Sequence, residues 1–367
     1  MAKPIRVLVV DDSALMRKHL RELLTETGDF EVMTARDGRD ALEQLHKYDP
    51  DVITLDINMP EMDGLTCLSR IMAERPKPVV MVSSLTEKGA EVTYEALALG
   101  AVDYIAKPDG TISLSLRNAS AQIVAKVRGA AGARVSRVRG LSDRLRSETG
   151  AAAARPVSKC SPIDTRVAGV MLIGVSTGGP RVLEEILPRL PADFPWPVLV
   201  AQHMPRNFTG TFARRLDAIC KLGVEEVVDR SALRPGRCYI GRGDADLVLI
   251  KRGTEFVAAS VPCDAARVWH PSVARMVETA MNCIPADRLL GVMLTGMGDD
   301  GAEAMAELHR KGGRTVAEAE STAVVFGMPG ELVKRGGADA VLPSYQIAQQ
   351  LMEWLPASAG RLSGRAL

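Results

Sequence analysis

A glycine-rich turn, Gly174-Val175-Ser176-Thr177-Gly178, follows an apolar run and leads into Gly179-Pro180. Small residues on either side of a serine let the backbone bend sharply and lift the hydroxyl above a sheet, as a nucleophile requires. The amide N–H groups and dipole of a helix opening at Gly179-Pro180 favour developing negative charge, and they suit a nucleotide phosphate equally well. Nucleophilic chemistry needs a base and an acid to orient it. Of the five histidines, His19, His46 and His309 lie in helical stretches among charged residues, where a solvated face is expected. His203 is different, because Val198-Leu-Val-Ala-Gln-His203-Met-Pro205 places it at the end of a strand-like run. His270, in Val268-Trp-His-Pro-Ser, is the reserve. An acid follows another buried run in Leu294-Thr-Gly-Met-Gly-Asp299-Asp300-Gly301. Serine, histidine and aspartate therefore all fall at strand ends, in an order that differs from the Ser…Asp…His order of α/β-hydrolases.

A second set of reactive residues lies near the N-terminus. Asp11 and Asp12 end the apolar run Ile5–Val10, Asp56 ends Val52–Leu55, and Lys107 follows Val102–Ile105. Strand ends of a parallel sheet converge on one crevice. Three carboxylates there repel one another unless a cation joins them. Mg²⁺ favours oxygen ligands and keeps some of its waters. A carboxylate beside such an ion and a lysine is a suitable acceptor of a phosphoryl group.

These residues need elements that alternate strand and helix, hence an α/β chain with parallel sheets covered on both faces. Further strands are expected at Val79–Val82, Val167–Val175, Val198–Ala201 and Leu289–Leu294, with hairpins in Arg237–Glu255. The first helix follows Ser13, with Ala14, Leu15, Leu20, Leu23 and Leu24 among its apolar positions. Between the two α/β regions, Ile123–Arg146 carries Lys126, Arg128, Arg134, Arg137, Arg139, Arg144 and Arg146 against the single acid Asp143. Ala151–Ala154, Pro156 and Pro162 then interrupt any regular element. This segment reads as a basic helix fraying into a solvated linker; without interleaved aromatics it makes a poor nucleic-acid surface.

Asp11-Asp12-Ser13, Leu55-Asp56-Ile57-Asn58-Met59-Pro60, Met62-Asp63-Gly64, Ser83-Ser84 and Ala106-Lys107-Pro108 occur in that order. Together they resemble the receiver domain of two-component response regulators, over about residues 4–125. The resemblance implies a doubly wound, flavodoxin-like fold with Asp56 as phosphoacceptor. It implies Mg²⁺ held by Asp12, Asp56 and the Asn58 carbonyl, with Asp11 reaching it through water. Ser83 would bond the phosphoryl group, with Ser84 adjacent, and Lys107 would be its ion partner. Tyr104 matches the aromatic that changes rotamer on activation, although a core aromatic would serve there equally.

Downstream, Ile173-Gly-Val-Ser176-Thr-Gly-Gly-Pro180, Gln202-His203-Met-Pro205, Phe208-Thr-Gly-Thr-Phe-Ala213, Pro271-Ser-Val273, Leu294-Thr-Gly-Met-Gly-Asp-Asp-Gly301 and Val325-Phe-Gly-Met-Pro329 resemble the chemotaxis protein-glutamate methylesterases, the CheB-like family. With the receiver motifs, the likeness spans nearly the whole chain. It implies Ser176 as nucleophile, His203 as general base and then acid, and Asp300 as the orienting acid. The family pattern Gly-Met-Gly-x-Asp-Gly selects Asp300 over Asp299. Backbone N–H groups near Thr177 and Met297 are the expected oxyanion donors. The chain departs from the family at Ala245, where a histidine is frequent, and at Glu318-Ala319, where Gln-Asp is common.

The resemblance implies hydrolysis of glutamyl methyl esters on chemoreceptors with release of methanol, and deamidation of receptor glutamines by the same acyl chemistry as a further possibility. It implies Mg²⁺ for receiver phosphorylation and no cofactor for ester hydrolysis. A chemotaxis histidine kinase would be the phosphodonor. The expected divisions are a receiver at 1–125, a basic helix and linker at 126–166, an α/β catalytic domain with a mainly parallel sheet at 167–357, and a tail at 358–367. An unphosphorylated receiver is expected to block the catalytic cleft, and phosphorylation to release it.

Composition sets limits on rivals. The 46 basic and 45 acidic residues leave a net charge of +1, so a nucleic-acid partner is not implied. No apolar stretch nears the ~18–20 residues that span a bilayer, so membrane insertion is not expected. Met1-Ala-Lys-Pro-Ile-Arg is unlike a signal peptide, and the six cysteines include no Cys-x-x-Cys pair, which suits free thiols in the cytoplasm. The remaining alternative is a response regulator whose second domain binds a nucleotide or another phosphate ligand at Ser176–Gly179 without hydrolysis. Gln202-His203 stands where a dinucleotide site would place an acid. A DNA-binding output domain fits poorly with roughly 190 residues of α/β pattern and no basic excess.

Overall fold

In a computed structural model, residues 3–83, 86–107, 112–133, 135 and 167–355 are described. Residues 136–166 of the basic helix and linker expected at 126–166, the tail 358–367, Ser84 and Pro108 lie outside them. Two compact α/β units are present, each built on its own sheet.

The first sheet is β1 (Ile5–Val10), β2 (Phe30–Ala35), β3 (Val52–Asp56), β4 (Val79–Ser83) and β5 (Asp103–Ala106), ordered 2-1-3-4-5. Between and after the strands run α1 (Ala14–Thr25), α2 (Gly38–Tyr48), α3 (Gly64–Glu74), α4 (Glu87–Ala98) and α5 (Ile112–Ala131). β1, β3 and β4 are buried apolar runs, as central parallel strands covered on both faces must be. β2 is an edge strand, and Glu31 and Met33 are exposed while Phe30 and Ala35 are buried; that mixed pattern hid it from a search for apolar runs. β5 begins one residue later than expected. Helix starts are set by side-chain caps: Ser13, Asp37 and Asp63 accept from the amides of Met16, Asp40 and Thr66. Of the apolar positions of α1, Leu20 and Leu24 are buried and Leu15 is exposed.

α5 continues past residue 125, where the composition turns basic. Ile123, Val124, Val127 and Ala130 are buried, and Lys126 pairs with Asp103 at 2.8 Å while lying 4.9 Å over the Tyr104 ring. The start of the basic run is thus one packed face of a helix, with charge on the other side.

The second unit has seven parallel strands: β6 (Val170–Val175), β7 (Val198–Gln202), β8 (Gly223–Val227), β10 (Arg237–Gly241), β13 (Leu289–Met293), β14 (Arg314–Glu318) and β15 (Ala340–Leu342), ordered 15-14-13-6-7-10-8. A smaller antiparallel sheet joins β9 (Arg230–Ala232), β11 (Asp246–Arg252) and β12 (Glu255–Val261). Of the expected hairpin region, only β11–β12 forms a hairpin. Arg237–Gly241 is a parallel strand between β7 and β8, because Cys238, Tyr239 and Ile240 are buried on both faces. The helices are α6 (Gly179–Ile186), α7 (Arg206–Ile219), α8 (Val273–Cys283), α9 (Ala302–Arg310), α10 (Met328–Lys334) and α11 (Ser344–Trp354). From β6 the chain builds the sheet on one side through β7, then returns to add β13 on the other. The carboxyl ends around this reversal form the crevice where α/β sheets bind ligands. No helix among the described residues is long and apolar enough to cross a membrane.

Ile173 sits fully buried at the middle of central strand β6. Ile173→Ala should lower the stability of this unit by about 2–5 kcal/mol, read as a lower urea midpoint by circular dichroism.

Candidate active site and acidic pocket

Register brings the reactive residues level. Val175 pairs with Gln202 across β6 and β7, so Ser176 and His203 leave neighbouring strands at the same height. On the other side Met293 pairs with Gly174, and beyond the strand ends the Ser176 amide donates to the Thr295 carbonyl at 3.0 Å. Gly178 follows at φ 79°, a left-handed conformation that glycine adopts without strain, and α6 starts at the next residue. Ser176 is 7% exposed and Thr177 is buried.

His203 is nearly buried, with its Nε2 2.9 Å from Asp300 Oδ2. The Gln202 side-chain amide donates to the carbonyls of both Ser176 (3.0 Å) and His203 (3.1 Å), tying the two turns together. The indole of Trp269 stacks on the imidazole, with ring centres 5.5 Å apart and planes 10° from parallel. Asp300 is held by α8: the Val273 amide donates to Oδ2 at 2.7 Å, and the Ala274 amide and the Ser272 hydroxyl donate to Oδ1 at 3.1 and 3.2 Å. Burial pushes its pKa up, but His203 and the two amides outweigh burial and hold the carboxyl below the usual carboxylate range. A carboxylate next to Nε2 places the ring proton there. Nδ1 is then a buried acceptor with no hydrogen-bond partner among the described residues.

The doublet resolves by position. Asp299 is exposed and lies 3.6 Å from Arg335, away from the imidazole. His270 is not brought to the serine: its Nδ1 lies 2.8 Å from buried Asp246 and its Nε2 3.1 Å from the Arg267 carbonyl. Asp246 also accepts from the Ser272 amide and the Arg275 guanidinium, so this second aspartate–histidine pair braces the loop before α8. His309 pairs with Asp339, and His46 is exposed; His19, expected on a solvated face, is half-buried.

In the first unit, Asp11, Asp12 and Asp56 each offer an oxygen, all within 4.8 Å of one another. Asp11 and Asp56 are buried, whereas Asp12 is exposed. Arg17 donates to the carbonyls of Asp11 and Asp12, fixing the chain where it leaves β1. A side chain at Gly64 would overlap the Asp56 carbonyl, so the loop after β3 closes this tightly only with glycine there. Oxygens around a Mg²⁺ ion at 2.0–2.1 Å lie roughly 3–4 Å apart, so this all-oxygen donor set fits that ion. Ser83 is buried at the end of β4, beside β3; Asn58 is exposed, and Lys107, half-buried, directly follows β5.

Comparison with known proteins settles the family. Residues 171–351 match the CheB methylesterase family and residues 7–116 the response regulator receiver domain. A Rhodospirillum rubrum protein named protein-glutamate methylesterase/protein-glutamine glutaminase 3 is 61% identical over 95% of this chain and 96% of its own. The chain belongs to the CheB methylesterase family. A second relative, protein-glutamate methylesterase/protein-glutamine glutaminase 2 of Rhodopseudomonas palustris, is 54% identical over 97% of this chain and 99% of its own. The crystal structure of the Thermotoga maritima CheB methylesterase catalytic domain matches with a TM-score of 0.50 and 38% identity, covering 51% of this chain and 99% of that one. Membership of the CheB family disfavours the reading of the glycine-rich turn as a nucleotide site.

Several groups around this CheB-type site were not read from the sequence. The amides of Val273 and Ala274 carry no side-chain signature, and Trp269 had significance only as a neighbour of His270. Thr295 was noticed only as part of a motif. Glu318 was noticed as a departure, and it proves fully buried. Desolvation raises the Glu318 pKa to about 7, although the Thr295 amide and Thr322 hydroxyl pull the other way. The native state therefore holds this proton more tightly than the unfolded chain. The stabilisation is complete below the ordinary glutamate pKa near 4.5 and is lost as pH rises through about 7. Stability of this unit should fall by roughly 3 kcal/mol across that window. Glu318→Gln should flatten the fall, measured as urea midpoints at pH 5 and pH 8; an unchanged slope would contradict the assignment.

Proposed function

We propose that the chain is a receiver-controlled serine hydrolase that removes methyl groups from glutamyl esters of chemoreceptors. Methylesterase chemistry follows from membership of the family. The observation that best supports the residue assignment is the His203–Asp300 pair at 2.9 Å beside the Ser176 turn. Ser176 Oγ attacks the ester carbonyl while His203 Nδ1 takes its proton, and Asp300 stabilises the imidazolium that forms. Collapse of the tetrahedral intermediate expels methoxide, which leaves as methanol with the proton returned by His203. Water, deprotonated by the same ring, then releases the glutamate carboxylate and restores Ser176. The amides near Thr177 and Met297 are the proposed oxyanion donors. Deamidation of receptor glutamines, the other activity in the relatives' names, would use the same acyl intermediate with ammonia as the leaving group.

In the receiver, Asp56 is the proposed phosphoacceptor, with Ser83 and Lys107 receiving the phosphoryl oxygens. Asp11, Asp12, Asp56 and the Asn58 carbonyl would hold Mg²⁺, which supplies charge neutralisation for phosphoryl transfer. The proposed divisions are 1–125, 126–166, 167–357 and 358–367, and the proposed compartment is the cytoplasm. The phosphodonor would be a chemotaxis histidine kinase. Restoring a negative carboxylate on a receptor helix is the local electrostatic event with signalling consequences.

Methanol release from methyl-esterified receptor membranes tests both halves. Ser176→Ala should lower turnover by about 10³-fold or more, and Asp300→Asn by about 10²–10⁴-fold. Wild-type release should rise with Mg²⁺ plus a small phosphodonor, and Asp56→Ala should abolish that rise without removing basal release. Deletion of residues 1–150 should raise basal release; unchanged or lower release would reject the blocking role of the receiver.

A further inference from the structure

Glu318 ends β14 with its carboxyl sealed from solvent, and both of its oxygens are engaged. Oε2 accepts from the Thr295 amide at 2.8 Å, and Oε1 accepts from the Thr322 hydroxyl at 2.9 Å. Thr295 in turn grips the serine turn twice. Its carbonyl accepts from the Ser176 amide at 3.0 Å, and its hydroxyl donates to the Thr177 carbonyl at 2.9 Å. The same hydroxyl accepts from the Val325 amide at 3.0 Å, so Thr295 has little freedom to move independently. Two hydrogen bonds thus separate the Glu318 carboxyl from Ser176.

We propose that Glu318 is a positioning residue for ester hydrolysis, acting through Thr295 on the Ser176–Thr177 turn, and that loss of its proton slows turnover. The proposal rests on Ser176 as nucleophile. In the neutral acid, Oε2 still accepts from Thr295. The carboxyl proton turns toward Thr322, whose hydroxyl redirects its own hydrogen to the Ala319 carbonyl 3.4 Å away and keeps accepting from the Ser344 amide. Every donor then has an acceptor. Once ionised, the group is a buried anion with two donors and no paired cation among the described residues. Its field in a low-dielectric interior opposes the negative charge that develops on the substrate oxygen at Ser176.

Charges on the surrounding elements do not offset it. α6 contributes Glu185, whose charge further raises the Glu318 pKa; Glu185 accepts from the Ser344 hydroxyl and lies 3.6 Å from Arg189. On α9, Glu303 and Glu307 pair with Arg310, and on α10 Glu331 pairs with Lys334 and Arg335. β13 and β15 present no ionisable side chain, and Glu353 of α11 accepts from Gln349 at the surface. With the pKa raised to about 7, this proton is exchanged near neutral pH.

The test is the pH dependence of methanol release by the full-length protein on methyl-esterified receptor membranes, for wild type, E318Q, T322V and Ser176→Ala. Glutamine reproduces the neutral acid: its carbonyl accepts from Thr295, its amide donates to Thr322, and it does not titrate. Wild-type kcat should fall by about tenfold as pH rises from about 6 to about 8.5, with KM little changed. E318Q should equal wild type at the acid end and lack the fall. T322V removes a donor to the anion and should move the fall to higher pH. Infrared difference spectra should show a protonated carboxyl band that disappears over the same range in wild type and is missing from E318Q. Superimposable profiles for wild type and E318Q, with Ser176→Ala inactive, would overturn this proposal alone. Activity surviving in Ser176→Ala would overturn the nucleophile assignment, and this proposal with it.

Discussion

The Asp300 carboxylate is shared between a helix and a histidine, and most of the second unit is arranged around that sharing. Two amides at the start of α8 and the Ser272 hydroxyl need an acceptor, and the imidazole needs a fixed partner. One side chain meets both demands. The helix end favours the ionised form, which counteracts burial, and the ionised form sets the ring proton of His203. The loop from β13 must therefore reach the start of α8 while Thr295, five residues earlier, stays bonded to the serine turn. Gln202 closes the remaining side by joining the Ser176 and His203 carbonyls. Position in this site follows from hydrogen bonds between strand ends, with little contribution from long flexible side chains.

The acidic pocket of the first unit obeys a different electrostatic logic. Asp300 gains its donors from the protein itself. Asp11, Asp12 and Asp56 bring three carboxylates to one place, each with an oxygen within 4.8 Å of the others, and the Ser13 amide donates to Asp11 at 2.9 Å. An all-oxygen cluster of that kind suits a small hard cation. One chain thus carries a lone carboxylate fixed between a histidine and a helix start, where orientation matters, and a cluster of carboxylates whose close oxygens suit such an ion.

Much of this was legible because strand ends in parallel sheets carry their chemistry in short, contiguous motifs. β1, β3, β4, β6, β7 and β13 are apolar runs; Asp56 ends its strand, and Asp11, Ser176 and His203 directly follow theirs. The pattern fails in two places: β2 alternates at a sheet edge, where burial is incomplete, and the largely buried Arg237–Gly241 looks like a hairpin arm because glycines flank it. The choice between Asp299 and Asp300 depended on family pattern, since adjacent aspartates are equivalent to any local rule. Geometry separates them, one bonded to His203 and the other exposed beside Arg335. The grip of Thr295 and the burial of Glu318 arise from β13 and β14 lying side by side, a pairing between segments more than twenty residues apart that no local window contains.

The stack of Trp269 on His203 makes the site optically addressable. An indole lying 5.5 Å from an imidazole, with the planes nearly parallel, loses excited-state electron density to the ring more readily when that ring is cationic. Each proton taken up by the imidazole should therefore dim the emission of a tryptophan already in place. The chain holds only two other tryptophans, Trp196 and Trp354, so the changing component can be isolated by difference. The charge state of the His203 ring would then be read from light alone, without a label and without a substrate.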